Sequence, residues 1–370
     1  MKNHDITNRI FVGLFLIFLC AMAVLFLVFP KAEYSIAERR RLDKAPQLTW
    51  ESIRDASYMD DLEAYLLDHF PFREKFRSLK AVFVYDVLGQ KENNDIYVVD
   101  GHAAKLEYPM SESSLEKAAN KMKKLQEKYF PEAKVYYAIV PDKNYFLAKE
   151  NGYPSLDYER LEQLMQENLP QMDYIPIWDT LTVEDYYTTD THWRQECLGE
   201  TIERLAEYMG FQNYVMTEFE QEEVPDFYGV YYGQSALSLP AESMYYLTNE
   251  VIAQATHYNV ETNQTKPVYE LDLLEDKSLM DKYNIFLGGA VAIQKISSPA
   301  AERDAKLIVF RDSFTSSLAP LLTNAYSEII LIDTRYVSAS FLGNYVDFTN
   351  ADVLFLYNPL VLNQSTMLRD

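Results

Sequence analysis

Ser313 stands in Val309-Phe310-Arg311-Asp312-Ser313-Phe314, an apolar run of strand character that leads directly into a segment of helical pattern. Such a junction puts a side chain on a sharp turn and a backbone N–H at the start of a helix, which presents a nucleophile and helps stabilise a developing oxyanion. A serine hydroxyl is a weak nucleophile at neutral pH and needs a base, most often a histidine held by a carboxylate. Beyond the N-terminal apolar run the chain has four histidines, His69, His102, His192 and His257. His192 lies in Thr188-Thr189-Asp190-Thr191-His192-Trp193, with an acid two residues before it and an aromatic directly after. In an extended or turn segment the Asp-x-His spacing brings both side chains to one face, where the carboxylate can hold the imidazole tautomer. These residues alone leave two readings open. One is a triad of Ser313, His192 and Asp190 for acyl chemistry; the other is Ser313 as a helix-capping serine and Asp190 to His192 as a local turn.

Other chemistries find less support. There is no His-x3-His, His-Glu-x-x-His or Cys-x-x-Cys spacing, and Asp190 with His192 offers only two ligands, so no metal is expected. Gly288-Gly289 lacks the pattern of a dinucleotide or phosphate loop, so no cofactor is expected either. His69 sits in Asp68-His69-Phe70-Pro71-Phe72-Arg73-Glu74, where the proline suits the start of a new helix, and reads as a junction residue.

The elements that must position the triad alternate in type. Ile96 to Val99 reads as a strand with a turn at Asp100-Gly101, and Ser111 to Tyr129 as an amphipathic helix. Val135 to Val140 and Tyr174 to Trp178 read as strands, Tyr158 to Leu169 as a helix, and Arg194 to Met209 as a helix stopped by Gly210. A Tyr-rich stretch from Phe211 to Ile285 shows no regular period. Order returns with strands at Lys306 to Phe310, Glu328 to Ile332 and Asp352 to Tyr357, separated by helices at Phe314 to Ala325 and Val337 to Tyr345. Apolar strands alternating with helices imply an α/β fold around a largely parallel sheet. Ligands bind at the carboxyl ends of such strands, which here carry Asp142 and Lys143, Ser313, Thr334 and Arg335, and Asn358. No internal repeat, low-complexity tract or Gly-Ser linker divides this part.

With 370 residues, 48% of them hydrophobic, and 29 Tyr and 20 Phe, the chain can bury a large core. A formal net charge of −22 repels phosphate backbones, and no basic stripe overrides it, so nucleic acid is excluded as a partner. Cys20 lies within the N-terminal apolar run, without the small residues before it that lipoprotein processing needs. Cys197 is left alone, so an intradomain disulfide is excluded. Ile10 to Phe29 is uncharged and, as a helix, about 30 Å long, enough to span a bilayer. Phe29, Pro30 and Lys31 follow it in place of a cleavage site, which points to an anchor. Lys2 and Arg9 precede the span, and Lys31, Arg39, Arg40, Arg41 and Lys44 follow it, a bias that opposes an extracytoplasmic C-terminal part.

At Asp68 to Arg73, Pro141-Asp142-Lys143, Tyr186 to Trp193, Phe286-Leu287-Gly288-Gly289, Asp312-Ser313-Phe314 and Asp333-Thr334-Arg335-Tyr336, the sequence resembles the DHHW protein family of bacterial surfaces. Behind it the sequence resembles the SGNH-hydrolase-like domains of the alginate O-acetylation proteins. The resemblance implies a three-layer SGNH-hydrolase-like domain at 101–370, after a membrane anchor at 1–30 and a polar and helical lead-in at 31–100. It implies Ser313 as nucleophile, His192 as general base and Asp190 as its orienting acid. The oxyanion candidates are the N–H groups of Ser313 and Gly289 and the side chain of Asn358. Thr191 stands where the family name has its first His, which leaves the base intact. Ala290 stands where the pattern usually continues with Asn, and loss of an oxyanion donor there costs about 3 kcal/mol of transition-state stabilisation. The function so implied is O-acetyl transfer to, or acetyl ester hydrolysis on, a cell-envelope polysaccharide. It would take place at a single-pass membrane protein with its C-terminal domain outside, with a membrane-bound O-acyltransferase as a possible partner. The alternative is a catalytically weak glycan-binding module that uses the same cleft and its tyrosines.

Overall fold

The computed structural model describes residues 2–35, 37–38, 40–275 and 281–370; Arg39 among the flanking cations lies outside them. The chain divides into two compact units, one of residues 1–93 with 233–238 and one of residues 94–232 with 239–370.

The first unit is helical. Helix Lys2–Val28 contains the stretch Thr7–Val28, which is long and apolar enough to cross a membrane and is not buried within the protein. Helix Ser57–Asp68 ends with His69 as its C-cap, and helix Arg73–Val82 begins after Phe72, which has φ 57°. His69 Nε2 lies 2.9 Å from Asp43 O, the contact of a junction residue. Arg40 binds Asp68, and Glu38 accepts from Arg73 and Arg77, each at 3.0 Å. The Arg40 guanidinium holds the Asp68 carboxyl down at about 2.

The second unit is built on an eight-stranded sheet. In chain order its strands are β1 (Val135–Ile139), β2 (Asp173–Tyr174), β3 (Thr256–Asn259), β4 (Gln264–Pro267), β5 (Ile293–Ser297), β6 (Lys306–Arg311), β7 (Glu328–Ile332) and β8 (Ala351–Tyr357). Their spatial order is β4-β3-β5-β7-β6-β8-β1-β2. Strands β7, β6, β8, β1 and β2 are parallel; β5, β3 and β4 extend that sheet antiparallel from the β7 edge. This is the expected α/β architecture with a mostly parallel sheet. Leu307 to Arg311 of β6 are all buried although successive side chains point to opposite faces, so both faces of the sheet are covered. On one face Phe310 and Phe355, paired in register, stack at 4.5 Å between centroids, and Phe130 and Phe348 pack beside them.

Helix Glu112–Tyr129 starts at Ser111, whose side chain accepts from Ser114 N, as its sequence pattern implies. Helix Tyr158–Asn168, with Leu169 as its C-cap, also forms where it is expected, while other elements depart from expectation for local reasons. The strand read at Tyr174 to Trp178 pairs only at Asp173–Tyr174, because Pro176 has no N–H to donate; Trp178 instead sends its indole N–H to Ile139 O. The helix after Ser313 is Thr315–Leu318 followed by a 3-10 turn at Ala319–Leu322, where Pro320 breaks the α pattern. Arg194 to Met209 opens as a 3-10 turn and becomes α-helical at Gly199–Met209, closing on Gly210 at φ 76°. In place of the helix read at Val337 to Tyr345 there is a 3-10 helix at Ala339–Asn344. The stretch read as irregular holds two antiparallel pairs, Glu220–Phe227 with Glu242–Thr248 and β3 with β4. In Glu220–Phe227 only Val224 and Phe227 are buried, so no alternation of apolar residues marks the strand in the sequence.

Phe310→Ala removes a ring from the centre of the stacked layer and is expected to destabilise the protein by about 3–5 kcal/mol in urea unfolding. A loss under about 1 kcal/mol would show that this layer does not carry the core.

Candidate active site

Ser313 stands two residues beyond the end of β6, in the turn that enters helix Thr315–Leu318. Asp312 makes that turn. Its Oδ1 accepts the Phe314 N–H at 3.1 Å and its Oδ2 accepts the Asn358 N–H at 2.7 Å, which ties the end of β6 to the end of β8. Burial pushes the Asp312 carboxyl up, offset by the Arg335 guanidinium and these two N–H groups. Arg335 is itself held by both oxygens of Asp333, at 2.9 and 2.6 Å. Thus the Asp333-Thr334-Arg335 segment at the end of β7 supplies positive charge beneath the turn.

Asp190 and His192 arrive on the loop that follows β2. His192 Nδ1 is 2.6 Å from Asp190 Oδ1, and His192 Nε2 is 2.7 Å from Ser313 Oγ. The three residues picked out by spacing therefore meet in one line of hydrogen bonds. Both distances lie within the reach required of nucleophile, base and orienting acid. Asp190 is fully buried, and its carboxylate also accepts the His192 N–H at 3.0 Å and the Val230 N–H at 2.7 Å.

The loop is clamped from several sides, by Lys143 and Trp193, which the sequence marks, and by Glu242, Gly229 and Tyr283, which it does not single out. Glu242 accepts from Thr188 N and Oγ1 at 2.9 and 2.8 Å, from Thr189 N and Oγ1 at 2.9 and 3.1 Å, and from Arg194 Nη2 at 3.1 Å. Lys143, buried, donates its ammonium to Tyr187 O at 2.9 Å and Thr188 O at 3.2 Å. Gly229 packs so closely that a Cβ there would lie 2.2 Å from the Thr189 carbonyl, so only glycine fits. Tyr283 stacks on the imidazole, with centroids 3.9 Å apart and planes 7° apart, and its hydroxyl donates to Ser317 Oγ at 2.9 Å. Trp193 sends its indole N–H to Phe314 O and Ser317 Oγ, each at 3.0 Å, locking the His192 segment to the helix after Ser313. Tyr283 and Glu242 come from the stretch without a sequence period, 91 and 50 residues from His192 by number, and no local pattern announces them.

The oxyanion candidates are placed unequally. The Gly289 N–H donates to Phe286 O at 3.2 Å, inside its own turn, and the glycine packs against Asn284. Ala290 is exposed. The Asn358 Oδ1 accepts the Val361 N–H at 3.1 Å as a helix cap, and its N–H is held by Asp312. The Ser313 N–H has no acceptor among the described residues. Asp142 lies apart from the triad: its Oδ1 caps helix Lys143–Asn151 and accepts the Tyr158 hydroxyl at 2.6 Å, and burial pushes its carboxyl up to about 6. His102 belongs to the hairpin of Ile96–Val99 and His102–Lys105, and His257 on β3 faces Glu270 at 3.0 Å. Among the described residues, no group of three His, Cys, Asp or Glu is placed to hold a metal ion.

Residues 179–332 match the DHHW protein family. The matched region carries Asp190, His192 and Ser313 and ends just before Asp333. Among solved structures, a DHHW family protein from Eubacterium siraeum is similar at 18% identity and a TM-score of 0.59, over 75% of this chain and 97% of that one. Bacillus cereus PatB1, in a structure with a sulfonyl adduct, is similar at 17% identity and a TM-score of 0.54, over 72% of this chain and 95% of that one. The O-acetyltransferase domain of Pseudomonas putida AlgJ is matched at 13% identity and a TM-score of 0.45, over 74% of this chain and 93% of that one. A comparison with the curated proteins finds no match. At these identities the first two similarities establish a shared fold, the DHHW region seated in the α/β sheet described above.

Burial pushes the Lys143 ammonium down to about 7, while the Asp190 and Glu242 carboxylates pull the other way. In the unfolded chain the group titrates near 10.5, so between these values the unfolded state holds more protons. Stability therefore rises with pH across that window, by up to about 1.4 kcal/mol per unit from this group. Urea unfolding of wild type and Lys143→Met is expected to show a free-energy difference that shifts toward wild type from about pH 7 to about pH 10. A difference that stays flat would mean that the ammonium is not buried as described.

Proposed function

We propose that this protein is a serine acyltransferase or esterase that handles acetyl groups through an acetyl-Ser313 intermediate. The observation that carries the reading is the unbroken line from Asp190 through His192 to Ser313, at 2.6 and 2.7 Å. His192 Nε2 takes the proton of Ser313 Oγ as the oxygen attacks the acyl carbonyl. The tetrahedral oxyanion collapses, the ester C–O bond breaks, and the imidazolium returns its proton to the leaving oxygen. In the second half an acceptor hydroxyl gives its proton to His192 and attacks the acetyl carbon, the acyl–Oγ bond breaks, and the imidazolium returns the proton to Ser313 Oγ. Asp190 holds the Nδ1 proton throughout and stabilises the imidazolium.

The Ser313 N–H, which has no acceptor among the described residues, is one oxyanion donor in this reading. The carboxamide nitrogen of Asn358 is the other, since Asp312 fixes Asn358 beside the nucleophile turn and only its Oδ1 is committed to the helix cap. A side-chain donor at 358 compensates for the alanine at 290.

The acceptor we propose is a hydroxyl of a neutral cell-envelope polysaccharide. The acidic chain disfavours anionic polymers, and Tyr336, half exposed beside Arg335 at the end of β7, offers a ring for a sugar to stack on. Helix Thr7–Val28 would anchor the catalytic unit on the outer side of the membrane, with a membrane-bound O-acyltransferase supplying acetyl groups from within.

Two measurements test the reading. Hydrolysis of 4-nitrophenyl acetate is expected to fall roughly a thousandfold in Ser313→Ala and in His192→Ala relative to wild type. Labelling by a sulfonyl fluoride, chosen because B. cereus PatB1 is known with a sulfonyl adduct, is expected at Ser313 alone. Equal rates in all three proteins, or labelling elsewhere, would contradict the proposal and favour a glycan-binding module. Asn358→Ala is expected to lower kcat about a hundredfold with little change in KM. An unchanged kcat would remove Asn358 from the oxyanion site and leave the triad standing.

A further inference from the structure

The connection from β7 to β8 joins two strands that both run parallel to β6, a place where an α-helix normally covers the sheet. Here the cover is only the 3-10 helix Ala339–Asn344, and a cavity of about 170 Å³ remains between it, helix Glu112–Tyr129 and the chain segment at Leu368–Asp370. Met122, Leu125, Phe355 and Leu368 give it apolar walls, all of them buried. Its floor carries two hydroxyls, Thr334 Oγ1 and Tyr357 OH, 3.5 Å apart. That separation is too long for a good bond, so both keep hydrogen-bonding capacity for a guest.

The lining also carries four cationic side chains, Lys121, Lys124, Lys128 and Arg369, against one acidic side chain, Asp370. In a chain of formal net charge −22 this is a local reversal of sign. Lys121 is engaged by Leu368 O and by Asp370 at 3.6 Å, and Lys128 reaches Ser340 O at 3.5 Å. Lys124 is exposed and has no acceptor among the described residues, and Arg369 spends one nitrogen on Tyr336 O at 3.1 Å. An apolar cavity of about 150 Å³ holds a single-ring guest, and aromatic and thioether walls suit a flat ring. We propose that this cavity binds a small aromatic monocarboxylate, its ring between Met122 and Phe355 and its carboxylate at Lys124 and Arg369. This site is separate from the acyl chemistry and does not depend on it.

The test is a fluorine NMR titration of the full chain in nanodiscs with 4-fluorobenzoate, using 4-fluorobenzamide as the neutral counterpart. The expected result is saturable binding of the acid with a Kd of about 1 mM or tighter. Binding should weaken roughly tenfold for the amide and for Lys124→Glu combined with Arg369→Glu, which changes only exposed side chains. Ala339→Trp, which fills the mouth, should abolish it while sulfonyl labelling of Ser313 stays as in wild type. If that variant proves unstable, the charge-reversal variant decides. No saturable binding, equal binding of acid and amide, or binding unchanged by charge reversal would overturn the proposal. A dimer disrupted by charge reversal, with no binding of the acid, would overturn it in favour of a second copy of this chain.

Discussion

A carboxylate with no exposed surface is costly unless hydrogen bonds replace the water it has lost. Asp190 meets that requirement with the backbone N–H groups of His192 and Val230 and with the imidazole of His192 itself. The rest of the site follows from keeping those donors in place. The loop before Asp190 would expose its own polar groups to a dry interior if Glu242 and Lys143 did not accept from and donate to it. Gly229 is there because the Val230 N–H can reach Asp190 only if the chain passes against the Thr189 carbonyl. Two ionisable groups of opposite type, the partly buried Glu242 at the loop's N–H groups and the buried Lys143 at its carbonyls, thus serve one geometric end.

The sheet supplies the other half. Ser313 needs a fixed position relative to a loop that enters from a different part of the chain, and parallel strands give it one because β6 lies between β7 and β8 at the middle of the sheet. Asp312 converts that position into an orientation, joining the ends of β6 and β8, while Arg335 from the end of β7 offsets the cost of its burial. Trp193 and Tyr283 then close the gap between loop and strand end, one by hydrogen bonds and one by stacking on the imidazole.

Much of this was legible in the sequence because it is local. The apolar runs of β1, β6, β7 and β8 are strands buried on both faces and read as continuous hydrophobic segments. Asp190 and His192 share a six-residue block, and Ser313 stands at a strand-to-helix junction that presents its hydroxyl at a strand's carboxyl end. What could not be read is non-local or carries no period. Glu242, Gly229 and Tyr283 act through contacts set by the fold: Glu242 begins strand Glu242–Thr248, Gly229 lies in the connection after strand Glu220–Phe227, and Tyr283 sits in the 3-10 turn Lys282–Ile285. The family resemblance implies Gly289 as an oxyanion donor, but its N–H is directed to Phe286 O within the turn that the glycine pair makes.

The central claim is that Asp190 fixes the tautomer in which His192 can accept a proton from Ser313. Nitrogen NMR of histidine-labelled full chain in nanodiscs, with the His192 signals assigned by their loss in His192→Gln, reads that tautomer directly. The account predicts that neutral His192 carries its proton on Nδ1, with Nε2 unprotonated and accepting from the serine hydroxyl. A neutral His192 protonated on Nε2 would contradict it, because the imidazole would then donate to Ser313 and could not serve as its base.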